Sequence, residues 1–428
     1  MHKCGRPGRS VLWATALVTL AAGCGASGSK PAASSGPVTG ASPPPGPVAS
    51  GAPTAPAPSG VAGNQASTPW PAALHDSAHS GGSNSSGPTT GATLWTRKLG
   101  APITAGAVVA ADGTIYESAN DGILHALDPT TGADKWTLDG GGSIGNQDLS
   151  TSAAILSDGT IVWPGPNSVL DGVSPAGKLV WQQKLAGMVL SPATAPGDKL
   201  YVADSVGDVA AFHATAAGAE HLWTTRIGKA SFGSPAVGTD GTVYATADRN
   251  LVALTDAGDH GAVKWRFEAG SDIEVSPSVG PDGTVILGTN DAFEYGLTPA
   301  GKVAWRYPRK VFSYSTPAAT ADGLAYFGDN DGSVDVVQAK SGTVAGRYSA
   351  TTAPLSSDGV GVWTAPLVDA HHDVYFGTAS GHILGFSYAG TKLFDVATGA
   401  IVASYPAMTA NGMLVIGSDD GTLYAFHG

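Results

Sequence analysis

The chain has 428 residues, with 60 Gly, 29 Pro and only 13% charged side chains, a balance that fits an all-β body with many tight turns. Its formal charge of −12 argues against nucleic acid as a partner, because an acidic surface repels phosphate backbones. The only cysteines, Cys4 and Cys24, precede the expected folded part, so the body should hold no disulfide, thiolate metal site or thiol nucleophile.

Lys3, Arg6 and Arg9 lead into an uncharged run over 11–22. That run is shorter than the roughly 20 apolar residues a bilayer span needs, but it suits a signal-peptide core. It ends in Leu20-Ala21-Ala22-Gly23-Cys24, which resembles the lipobox of bacterial lipoproteins. Ala21 departs from the Leu usual at that place. The resemblance implies that 1–23 is a lipoprotein signal peptide and that Cys24 is lipidated. It also implies a lipid-anchored protein on the extracytoplasmic side of the cell membrane, at a bacterial cell surface or in a periplasm. The competing reading is a plain secretory signal cut near Ala22. Residues 24–69 are an Ala/Gly/Pro/Ser-rich tether with Lys30 as its one charge and no aromatic residue. Such a segment cannot bury a core and is expected to be a disordered stalk. At about 5–6 Å × √n its mean reach is on the order of 40 Å.

From Trp95 onward one unit recurs. Its clearest copy, 234–265, has a Ser-Pro-started apolar run, an Asp-Gly turn, an alternating strand, a second apolar run and a strand closed by Trp265. Trp95, Trp136, Trp181, Trp223, Trp265 and Trp305 recur at steps of 40 to 45 residues, and Arg347/Tyr348 and Phe394 mark two degenerate units. That period, with four strands per unit, indicates a β-propeller. The second strands, from 114–116 to 413–415, also number eight. The strand around Trp95 has no preceding strands of its own, and the chain ends on a third strand at 423–426. Pairing the two closes the ring and leaves no open edge. The expectation is an all-β, eight-bladed β-propeller of four-stranded antiparallel blades over 70–428, closed by the N-terminal strand. Seven blades is the competing count.

The repeats resemble those of the quinoprotein-like (PQQ-like repeat) eight-bladed propellers. The matching residues are Asn120-Asp121-Gly122-Ile123-Leu124-His125-Ala126-Leu127-Asp128, Thr131-Gly132 before Trp136, and Asp420-Gly421-Thr422-Leu423-Tyr424-Ala425-Phe426. The lead-in Trp70-Pro71 to Asp76, with His79 and then Gly87-Pro88, looks like the usual opening of such domains. The resemblance implies that the six tryptophans are structural fillers packed between blades. Some relatives hold pyrroloquinoline quinone and calcium, with adjacent cysteines over the cofactor. Lacking that cysteine pair and the long insertions of those enzymes, this chain is expected to carry no cofactor and to be no enzyme.

Two motifs invite a metal. Asp329-Asn330-Asp331-Gly332-Ser333-Val334-Asp335 spaces oxygen ligands in a way that suits calcium, yet it aligns with the hairpin turns of other units and lacks the distal Glu of an EF-hand. His371-His372-Asp373 aligns with a turn as well, where neighbouring side chains seldom converge on one ion. Both are read as turns, with no metal.

The departures from repeat length are more informative. The step from the blade-end residue to the next turn is 16 or 17 in six units, but 22 from Trp136 to Asp158 and 25 from Gly346 to His371. These loops and the hairpins between second and third strands are expected to share one face. The candidate binding face is Asp139, Asn146, Gln147 and Asp148 in the first loop, and Ser357, Asp358 and Trp363 in the second. Arg309, Lys310, Phe312 and Tyr314 add a basic, aromatic cluster of a type enriched at binding hot spots. Ordinary tolerated loop variation is the competing explanation. The leading functional expectation is a monomeric, non-catalytic scaffold for a protein, peptide or glycan, analogous within the family to the propeller lipoprotein of the outer-membrane β-barrel assembly machine. The alternatives are a small-molecule sensor with its ligand over the ring centre, and a quinone-dependent dehydrogenase relative.

Overall fold

The structure is a computed structural model that describes residues 67–144, 151–309, 314–349 and 361–428. Cys24, the signal peptide, nearly all of the tether, and the candidates Asn146, Gln147, Asp148, Lys310, Phe312, Ser357 and Asp358 lie outside the described residues.

Blade one shows how the sequence builds each unit. Strands β2 (Val108–Val109), β3 (Ile115–Ser118), β4 (Ile123–Leu127) and β5 (Asp134–Asp139) pair antiparallel in chain order. The inner three are almost wholly buried, whereas β5 is exposed at alternate residues. Apolar runs thus become inner strands and an alternating pattern becomes the outer one. The β3–β4 hairpin turns on Gly122, whose φ of +78° favours glycine. A Cβ there would also sit 1.9 Å from the Gly142 carbonyl oxygen of the following loop.

Eight such four-stranded sheets form the propeller, with blades one to seven spanning 108–139, 154–184, 193–226, 236–268, 278–308, 318–349 and 367–397. The eighth takes three strands from 407–426 and its outer strand, β1 (Thr93–Lys98), from the start of the domain. β1 pairs antiparallel with β32 (Thr422–Phe426), Thr96 opposite Tyr424, so both the count of eight and the closure by the N-terminal strand hold.

The tryptophans wedge adjacent blades together. The Trp95, Trp136, Trp265 and Trp305 indole N–H groups donate to the carbonyls of Pro129, Pro175, Pro299 and Ala339 in the next blade, at 2.7–2.9 Å. Each ring lies over a turn glycine of that blade: a Cβ on Gly301 would stand 2.5 Å from the Trp265 ring, and the residue has φ +77°. Gly301→Ala should therefore cost about 1–3 kcal/mol, read as a lower urea midpoint at unchanged slope.

The lead-in at 70–87 forms a plug. Its acceptors meet the inner strands in blade order: Val109 N–H donates to Trp70 O (2.7 Å) and Ile155 to Pro71 O (2.7 Å). Thr194 N–H donates to Ser77 Oγ (3.0 Å), and Val237, Val279, Ala319 and Val368 donate to the carbonyls of Ser77, Ala78, His79 and Gly81 (2.6–3.4 Å). Ser85 Oγ then donates to Ala410 O of blade eight at 2.9 Å. The segment therefore makes one circuit of the ring axis and supplies partners to inner-strand ends that would otherwise be buried and unpaired. Those ends adjoin the first-to-second-strand turns, so the plug closes the ring on that side, the turn face. Leu74, His75 and His79 have φ of 60°, 80° and 59°, a costly conformation for such residues. Asp76 holds them: Oδ1 accepts from the Ala78 and Ser80 N–H groups (2.9 and 3.1 Å), and Oδ2 from Ser80 Oγ (2.8 Å).

Candidate functional site

The opposite side, the loop face, carries the connections from each outer strand to the next inner strand together with the second-to-third-strand hairpins. The two kinds of loop interlock. Gly140 and Ile144 N–H donate to the carbonyls of Gly122 and Asn120 (3.0 and 3.1 Å), and the same bonding recurs from Ile227 to Gly207, Ile273 to Asp248 and Val402 to Thr378 (2.9–3.0 Å). A hydrogen-bonded frame thus presents the described parts of these loops at one end of the ring.

On this face the structure places the described candidates in two areas. Asp139 is exposed at the end of β5 in blade one, its Oδ1 accepting from Gly141 N–H at 2.8 Å. Tyr314 and Trp363 come together on the loops entering blades six and seven, their rings 5.5 Å apart and edge to face. The Trp363 indole donates to Asn330 Oδ1 (3.0 Å), which fixes the ring against the blade-six hairpin.

Arg309 departs from the expectation of a surface cation. It follows β21 (Val303–Pro308), its side chain is 0% exposed, and its Nη1 donates to Glu294 Oε2 at 2.8 Å, also 0% exposed. Glu294 lies on β20 (Phe293–Leu297). Burial raises its carboxyl, the Asp329 and Asp335 charges add to this, and the Arg309 charge only partly offsets them, so it is pushed up to about 7. Asp335 is pushed up to about 6 by burial, despite Arg347 at 3.3 Å. The strand register makes this pair an exception. The seven residues equivalent to Glu294 are Leu124, Leu170, Val209, Leu251, Val334, Ile383 and Leu423, all buried aliphatics.

Neither metal motif presents an open ligand set. In 329–335, Asp331 Oδ1 accepts from Ser333 N–H (3.1 Å) and its Oδ2 from Arg347 (2.5 Å), while Gly332 N–H closes the turn on Asp329 O (3.1 Å). In blade seven the candidate ligand atoms of Asp369, His371 and Asp373 lie within 4.8 Å of one another. Both Asp369 oxygens are nevertheless occupied, Oδ1 by the N–H groups of His371 (2.8 Å) and Asp373 (2.9 Å), Oδ2 by Gly87 N–H (2.7 Å) and the Tyr375 hydroxyl (3.3 Å). That carboxylate ties the end of the plug to its blade.

With this geometry in hand, comparison with known proteins is decisive for the family. The profile described as outer membrane protein assembly factor BamB matches residues 85–190, 166–311 and 205–427, which together take in most of the chain. The chain belongs to the BamB family. Among curated proteins nothing matches its sequence. Among solved structures, BamB from Moraxella catarrhalis is similar at TM-score 0.59 and 16% identity, over 78% of this chain and 99% of that one. Sqt1 from Saccharomyces cerevisiae is similar at TM-score 0.66 and 14% identity, over 79% and 99%. Quinohemoprotein alcohol dehydrogenase from Comamonas testosteroni is similar at TM-score 0.59 and 17% identity, over 85% and 81%. At such identities these likenesses concern the fold alone.

Two features of this BamB-family chain escaped the reading of residue types and loop lengths. Glu294 was missed because a lone Glu in an apolar strand looks like an outward-facing residue until the strand is laid over its sisters. Glu117 is a second instance: it is fully buried, burial raises its carboxyl well above the usual range, and its equivalents include Trp163, Leu287 and Phe327.

Proposed function

We propose that this chain is a non-catalytic binding scaffold that engages a protein, peptide or glycan partner through its loop face. It acts as a monomer held on the extracytoplasmic side of a membrane by a lipid on Cys24. The observation that carries this reading is the plug: with the turn face closed at the axis, the other end of the ring is the one where Asp139 and the Tyr314–Trp363 pair lie. The description of the family as an outer membrane assembly factor supports a scaffold over an enzyme. A small molecule at the ring axis, the second reading, would have to enter from this same face.

The test is site-specific photo-crosslinking in cells that make the protein. A crosslinker at Asp139, Lys229 or Asp272 on the loop face should capture a discrete partner, and one at Asp259, in a turn of the opposite face, should not. Capture from position 259 alone, or equally from both faces, would overturn the assignment. A Cys24→Ala variant that still takes up labelled fatty acid would remove the anchor.

A further inference from the structure

The ring register singles out one position on the loop face: the residue four before the first residue of each inner strand. It is Thr104, Val189 and Ala403 in blades one, three and eight. In blades four to seven it is Phe232, Glu274, Tyr314 and Trp363. These four are neighbours around the mouth because their lead-ins are laced together. Ser234 N–H donates to Ser276 Oγ (2.8 Å), Ser276 N–H to Thr316 Oγ1 (3.3 Å), and Ser315 Oγ to Thr364 O (2.8 Å).

Exposure marks the same arc. Eight large hydrophobic residues stand exposed among the described residues, and six of them, Leu94, Leu179, Val180, Val263, Val303 and Val344, lie on outer strands at the circumference. The other two are Phe232 at 42% and Tyr314 at 41%. Between them is Glu274, partly exposed, and among the described residues no cation pairs with its carboxylate; Asp272 on the same loop is exposed as well. The nearby cations are largely engaged elsewhere: Arg226 with Asp208 (2.7 Å) and Arg249 with Glu268. Lys229 is exposed three residues before Phe232.

We propose that the arc Phe232–Glu274–Tyr314–Trp363 takes a cationic side chain, Arg or Lys, from a partner peptide. This deepens, and rests on, the reading of the loop face as the binding face. Aromatic faces attract a guanidinium or ammonium through the ring quadrupole, and Glu274 supplies the counter-charge that an uncharged ligand would leave unused. A neutral sugar could stack on the same rings, but burying Glu274 beneath it without a cation would carry a desolvation cost.

The test titrates the full chain with fluorescein-labelled hexa-arginine, an uncharged Gly/Ser hexapeptide and cellohexaose. Hexa-arginine should bind, weaken as salt is added, and outbind both neutral probes. Phe232→Ala and Glu274→Gln, both exposed enough to leave folding intact, should each weaken binding by about fivefold or more, and Trp363→Ala likewise. Asp259→Asn removes the same charge from the turn face and should leave binding unchanged, which separates a built site from general attraction to an acidic protein. The proposal falls if Glu274→Gln and Asp259→Asn behave alike, if Phe232→Ala binds as the wild type does, or if cellohexaose binds in place of the peptide. If the peptide fails while loop-face crosslinks still form, the arc assignment alone is wrong; if both fail, the scaffold reading falls with it.

Discussion

Asp76→Ala should lose about 3–5 kcal/mol of stability, the largest loss expected from any single change in the plug. The substitution leaves three buried donors, Ala78 N–H, Ser80 N–H and Ser80 Oγ, without an acceptor, each worth about 1–3 kcal/mol when unsatisfied. It also removes the carboxylate that organises the turn in which Leu74, His75 and His79 adopt left-handed backbone. The measurement is the urea midpoint, together with proteolysis near 70–87. Asp76→Asn should fall in between, because an amide oxygen can still accept from the two backbone donors. Burial raises the Asp76 carboxyl, but bonding and charge from His75 and the bonds from Ser80 outweigh this and hold it below the usual range. A lowered folded value means that its contribution is present above the unfolded value of about 4 and is lost as pH falls through the folded one. The wild type should therefore lose stability more steeply than Asp76→Asn below about pH 4. Equal acid limbs would show that the carboxylate is not what holds the plug.

At the Glu294–Arg309 pair the expected result has opposite signs for one change and two. Arg309→Leu strands a buried carboxylate and should cost about 3–5 kcal/mol. Glu294→Leu combined with Arg309→Leu should be neutral or stabilising by about 1–4 kcal/mol. Two sister blades already have that arrangement, with Leu170 and Leu185 in one and Leu423 and Leu99 in the other. The pH dependence follows from Glu294, whose folded value of about 7 lies above its ordinary value of 4.5. Its contribution is present below the ordinary value and is lost as pH rises through about 7. Wild-type stability should decline from pH 5 to 8, and the double variant should decline less, keeping the part due to the other raised carboxyls, Asp335 and Glu117 among them. A single variant as stable as the wild type would contradict the buried-pair geometry.

The blades were legible because their signals are local. Trp-to-Trp spacing, Asn/Asp-Gly hairpins and alternating apolar runs each follow from the backbone geometry of one unit repeated. The plug was recognisable only as a typical opening. Residues 70–87 have no period of two, and their partners are strand ends scattered from Val109 to Ala410. Nothing in the residue types Leu74, His75 and His79 announces positive φ. For the candidate face, loop length led to Trp363 and the basic, aromatic composition before blade six led to Tyr314, but neither signal could lead to Phe232 or Glu274. Arg309 was grouped with its sequence neighbours, although a one-residue step past the end of a strand turns a side chain from solvent into the seam between blades.

The closure of blade eight has a consequence in time. β1 leaves the ribosome early, yet its partner β32 follows only after seven further blades, roughly 300 residues later. At about 5–20 residues per second this is on the order of tens of seconds during which β1 has an unpaired edge. The plug is made earlier still, so its carbonyls are available as each inner strand arrives in turn. Assembly can thus proceed around a centre laid down first, with the circumference sealed when β32 reaches β1.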